Sequence, residues 1–232
     1  MTTDFHISQK PDFALLHVRI PAGQKFYSEP GAMATMTPNI QLTAGLKGGL
    51  MASVKRAFGG ESLIISTYEA QGNTGEVTFA AGQPGDTVHY HLDGSTELYL
   101  QRGGYLANSE GIEISSKWQG MRGFFSGEGL ILLKCSGTGD IFFNSYGAIL
   151  ELDVEDEVYV DTGFIVAFES TLNYQVTTLP GARPGTNWKS LFLGGEGLVC
   201  RFSGRGKVWI QTRQTATFLN WVHPYRPVQK SN

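Results

Sequence analysis

The chain is short of the residues that staple, span or bind polyanions. It has only two cysteines among 232 residues, too few for a disulfide framework. Cys135 and Cys200 sit in apolar runs, Leu132-Leu133-Lys134-Cys135 and Leu198-Val199-Cys200, so buried free thiols are expected, and with them a reducing compartment. No apolar run approaches the roughly 18 residues that cross a bilayer as a helix. The first ten residues have no apolar segment of the secretory type and carry Asp4 instead of a run of arginines, so a cytoplasmic location is expected. Cations are also scarce: 18 Lys and Arg face 21 Asp and Glu, for a net charge of −3. That balance lacks the basic face nucleic acid requires, so nucleic acid is not an expected partner. Catalytic signatures are missing too. There is no Gly-x-Ser-x-Gly elbow, no phosphate-binding Gly-x-x-x-x-Gly-Lys-Ser/Thr loop, and neither cysteine has polar, activating neighbours.

What the chain does have is glycine, 30 residues of it, with 41% hydrophobic content and enough length to bury a core. The glycines are placed periodically. Gly59-Gly60-Glu61-Ser62-Leu63, Ser126-Gly127-Glu128-Gly129-Leu130 and Gly194-Gly195-Glu196-Gly197-Leu198 recur with the glutamates 67 and 68 residues apart, as when one supersecondary unit is used three times. Each is followed by a β-rich run, a glycine turn and a second β-rich run. These are Leu63–Tyr68 to Glu76–Phe79, Leu130–Cys135 to Asp140–Phe143, and Leu198–Phe202 to Lys207–Ile210. The pattern predicts a β-hairpin in each unit. Alternating segments at 86–92, 97–100, 151–154 and 157–160 predict further half-buried strands. The expected architecture is a single all-β domain over 1–232 with three subdomains, 1–87, 88–155 and 156–232. Leu46, Leu50, Val54 and Phe58 form one stripe of a short helix, and Thr215 to Val222 reads as another, stopped by Pro224 and Pro227.

Several blocks, in order, carry a resemblance: Glu29-Pro30-Gly31-Ala32-Met33, Lys47-Gly48-Gly49-Leu50, Gly59-Gly60-Glu61-Ser62-Leu63, Pro84-Gly85-Asp86, Ser145-Tyr146-Gly147-Ala148, Gly194-Gly195-Glu196-Gly197-Leu198 and Val208-Trp209-Ile210-Gln211-Thr212-Arg213. Over about residues 26–221 the chain resembles the family named for altered inheritance of mitochondria. The resemblance implies repeated β-units, of a β-sandwich or double-stranded β-helix kind similar to the tryptophan RNA-binding attenuator protein. It also implies a link to mitochondrial biogenesis through a fungal member, and no established catalytic residue. The attenuator protein's tryptophan and RNA binding does not carry over to an acidic chain of three covalent units.

Three sets of residues are candidate sites. Glu61, Glu128 and Glu196 converge on a hard cation if the units surround an axis; otherwise each accepts backbone N–H groups of its own turn, the favoured reading. His89 and His91 share one face of a strand, with Glu97 at a spacing close to that of cupin metal sites. A cupin's later histidine is missing, because the chain's only later histidine is His223. A surface-facing pair is the favoured alternative to a metal site. Lys47, Leu50, Met51, Lys55 and Arg56 form a basic, amphipathic segment that either meets a membrane or partner or covers one end of the β-core. The functional expectation is a non-enzymatic scaffold or binding protein without a cofactor, acting through protein or membrane-surface contacts; the alternative is a small-ligand or metal-binding β-module. A homo-oligomer is expected, a trimer being one option.

Overall fold

The computed structural model describes residues 3–46, 64–115, 132–177 and 199–226, and within them the chain is built of antiparallel strands. The N-terminal third contributes β1 (Asp4–Ser8), β2 (Leu15–Ile20), β3 (Lys25–Ser28), β4 (Met33–Met36), β5 (Ile40–Leu46), β6 (Ile64–Ala70) and β7 (Gly75–Ala80). The middle third contributes β8 (Thr87–Asp93), β9 (Leu98–Gln101), β10 (Tyr105–Ser109), β11 (Ile112–Ser115) and β12 (Leu132–Asn144). The last third contributes β13 (Ile149–Val154), β14 (Glu157–Asp161), β15 (Ile165–Glu169), β16 (Asn173–Thr177), β17 (Val199–Ser203) and β18 (Gly206–Gln211), followed by α1 (Thr215–Val222). The all-β expectation holds. The helix expected at 215–222 is α1; the one expected over 46–58 lies almost wholly outside the described residues.

The three expected hairpins do not form. β6 pairs with β3 and β5, whereas β7 pairs with β2 and β4. β17 pairs with β14 and β16, and β18 with β13 and β15. In the middle third both runs are one strand, β12, whose first half pairs with β9 and β11 and whose second half pairs with β8 and β10. Each glycine turn is therefore a corner that carries the chain from one sheet to the next, as sandwich strands do when they change sheets. Gly137 and Gly139 make the corner in β12, with φ of +99° and +151°. A Cβ on Gly137 would fall on the Gly111 carbonyl oxygen, and one on Gly139 would sit 2.8 Å from the Glu110 carbonyl oxygen. Only glycine tolerates both the backbone angle and the approach.

The interior forms three apolar clusters, each centred on one third of the chain. Leu16, Val18, Phe26, Tyr68 and Phe79 anchor the first, joined by Leu106 and Phe142 from the middle third. Leu98, Leu133, Ile141 and Phe143 anchor the second, joined by Val166 and Trp209 from the last third. Phe168, Phe202 and Val208 anchor the third, joined by Tyr99 and Leu132 from the middle third. Both cysteines are buried free thiols, in separate clusters, and burial pushes the Cys200 thiol up to about 12. Among the described residues no helix is long and apolar enough to cross a membrane.

Candidate metal centre

Beyond its glycine corner, β12 places Asp140 opposite His91 and Phe142 opposite His89 in the ladder with β8. Residues two apart on a strand share a face, so both imidazoles and the carboxylate project to the same side. His89 Nε2 lies 2.8 Å, and His91 Nδ1 2.9 Å, from the same oxygen, Asp140 Oδ1. The backbone N–H and hydroxyl of Thr3 donate to Oδ2. The His89 ring is wedged between Phe5 and Phe142, at centroid separations of 4.5 and 5.1 Å.

The cluster is graded in exposure. The Asp140 side chain is 1% exposed, that of His89 29% and that of His91 49%. A buried carboxylate is costly unless it is hydrogen-bonded, and Asp140 is bonded through both oxygens. Burial alone pushes its carboxyl up, but the bonds from Thr3, His91 and His89 outweigh that and hold it at about 2. Asp140 is therefore ionised across the physiological range, which makes it a standing anion beneath two imidazoles.

A nitrogen from each ring and one carboxylate oxygen, all within 4.8 Å of one another, form an N,N,O donor set. Tetrahedral ligands at the roughly 2.05 Å bonds of zinc stand about 3.3 Å apart, so each nitrogen would have to move about half an ångström away from Asp140 Oδ1, and the two nitrogens, which lie within 4.8 Å of each other, would have to settle at the same spacing. His91 also lines an open cleft of about 490 Å³ with Thr3, Ser109, Glu110, Thr138 and Gly139, a route from solvent to the donor set.

The structure thus brings His89 and His91 together as expected and adds Asp140 and Thr3, which sequence reasoning missed. The one local signal for Asp140 was an acidic residue directly after a glycine corner. Glu97, at the cupin-like spacing, turns away to pair with Lys134 at 2.8 Å. Glu61, Glu128 and Glu196 lie outside the described residues, as do Lys47, Leu50, Met51, Lys55 and Arg56.

Comparison with known proteins comes to the same fold. Residues 5–213 match the family model described as mitochondrial biogenesis AIM24. An uncharacterized protein of Streptococcus pyogenes serotype M6 is 25% identical over 237 residues, covering 98% of this chain and 92% of that protein. The crystal structure of a Streptococcus pyogenes protein from a structural genomics programme superposes with a TM-score of 0.79 at 25% identity, covering 97% of this chain and 100% of that one.

Proposed function

The chain belongs to the mitochondrial biogenesis AIM24 family, and from that premise we propose that it is a non-enzymatic binding protein whose β-scaffold holds a divalent transition-metal ion at His89, His91 and Asp140. The observation that supports this reading is the convergence of two imidazole nitrogens on one buried, ionised carboxylate oxygen. Imidazole with carboxylate suits first-row ions of the zinc class better than calcium or magnesium, which take oxygen donors. Held by His89, His91 and Asp140, such an ion would supply a fixed positive charge beside the cleft that His91 lines, able to attract an anionic or carbonyl group of a partner. Two buried free thiols support a reducing, cytoplasmic setting.

Facing an ionised Asp140, both imidazoles donate an N–H to it, so an ion binding there would require each ring to carry its proton on the other nitrogen. The test is calorimetric titration of the chelator-treated protein with Zn²⁺, Co²⁺ and Ni²⁺. One equivalent bound with micromolar or tighter affinity is expected, together with a rise in melting temperature. His91→Ala, at an exposed position that leaves the core intact, should weaken binding at least tenfold and abolish the thermal shift. Failure of all three ions to bind, or unchanged binding in His91→Ala, sinks the reading and leaves the cluster as a hydrogen-bonded clasp holding Thr3 and β1.

A further inference from the structure

The ladders of the three thirds follow one scheme. β2·β7, β8·β12 and β13·β18 correspond, as do β3·β6, β9·β12 and β14·β17. β4·β7, β10·β12 and β15·β18 correspond as well, each with a register shift at the same point. Among the described residues one kind of ladder joins the thirds to one another. β10 of the middle third pairs with β3 of the first, and β15 of the last third pairs with β9 of the middle. The scheme leaves two strands over. Among the described residues β4, which corresponds to β10 and β15, pairs only with β7 of its own third. β14, which corresponds to β3 and β9, pairs only with β17 of its own third. Each ends its sheet among the described residues. Among the described residues the chain does not close on itself there: no ladder joins β4 to β14, the first cluster takes no residue from the last third and the third cluster none from the first.

Burial separates the leftover strands from their counterparts. Leu106, Ala107 and Asn108 of β10 and Val166, Ala167 and Phe168 of β15 are essentially fully buried. The corresponding Ala34, Thr35 and Met36 of β4 are exposed, Met36 by 41%. On the other side, Tyr27 of β3 faces Asn108 and Tyr99 of β9 faces Phe168. Their counterpart in β14 is Tyr159, with the same relation to its own inner neighbour: Tyr27 faces Thr67, Tyr99 faces Lys134 and Tyr159 faces Arg201. Tyr27 and Tyr99 are half-buried, whereas Tyr159 is 37% exposed.

We propose that β4 of one molecule pairs antiparallel with β14 of a second copy, head to tail, continuing between molecules the junction that twice joins thirds within the chain. The register follows from the internal junctions: Thr35 opposite Val160 and Met36 opposite Tyr159. A second copy is the occupant because each free edge matches the partner its counterparts already use. β4 has neither proline nor charge over Met33–Met36, the devices that keep edge strands from pairing. The contact joins unlike surfaces, so it propagates until a ring closes or a filament grows. It does not rest on the metal centre, which lies on β8 and β12.

The test uses full-length protein and two blocking variants at exposed positions, Met36→Asp and Tyr159→Asp, measured by native mass spectrometry and light scattering from 1 to 100 µM. The wild type should exceed monomer mass, and each variant alone should be monomeric with unchanged melting. Mixed one to one, the variants should give a dimer and nothing larger, because each retains one working edge and the pair is then capped. A wild type that is monomeric at 100 µM, a variant that keeps the wild-type mass, or a mixture without dimer overturns the proposal.

Discussion

One ladder position serves three different purposes in the three thirds of the molecule. Directly after the glycine corner, Glu76 faces Arg19, Asp140 faces His91 and Lys207 faces Asp153. The first and third are surface ion pairs, at 3.4 and 3.5 Å with well-exposed side chains, and pairs of that kind contribute little. In the middle third the carboxylate is buried, the facing cation is replaced by an imidazole, and a second imidazole and Thr3 join it. An ordinary cross-strand charge pair has become a donor cluster by being covered and by exchanging arginine for histidine. The register supplies the juxtaposition; burial supplies the chemistry.

The sharpest way to break this contrast is Asp140→Ala. Removing the buried acceptor strands the Thr3 donors and both imidazoles, so about 2–4 kcal/mol of stability should be lost at pH 7 in metal-free protein, read by urea denaturation. A loss below 1 kcal/mol would mean that the cluster does not hold the fold. A second, smaller effect contrasts two carboxyls. Donors hold Asp140 down, whereas burial raises Glu29 to about 7 from 4.5. The folded state thus binds the Glu29 proton more tightly than the unfolded chain. Its contribution is full below about pH 4.5 and is lost as pH rises through about 7. Relative to wild type, Glu29→Gln should be equally stable at pH 4 and more stable by about 1–3 kcal/mol at pH 8; a constant difference across that range would refute the assignment. The smallest effect is expected at the surface pair. Glu76→Gln should cost no more than about 0.5 kcal/mol, and less in high salt, so a cost like that of Asp140→Ala would erase the distinction between the two positions.

Much of this was legible in the sequence, for reasons that are local. α1 ends before Pro224 as its sequence predicts, the alternating runs are strands, both cysteines are buried, and His89 and His91 share a face. Two things were not legible. A glycine turn between β-rich runs has the same local chemistry whether the chain folds back on itself or crosses to another sheet. The hairpins were therefore expected where corners stand, because only long-range pairing decides between the two. Asp140 was missed for the same reason. It stands 49 residues from His91, and nothing near it reveals that β8 runs alongside.

β12 also bears on how the chain comes off the ribosome. Among the described residues, β8 and β11 have their ladder partner in β12 alone, and β12 is the last strand of the middle third to be made. Until residues 132–144 emerge, those two strands have no ladder partner among the described residues, and β9 has none either, since its other neighbour, β15, is synthesised later still. The sheets of the middle third therefore form together on arrival of one segment, which makes β12 the commitment point of synthesis-coupled folding.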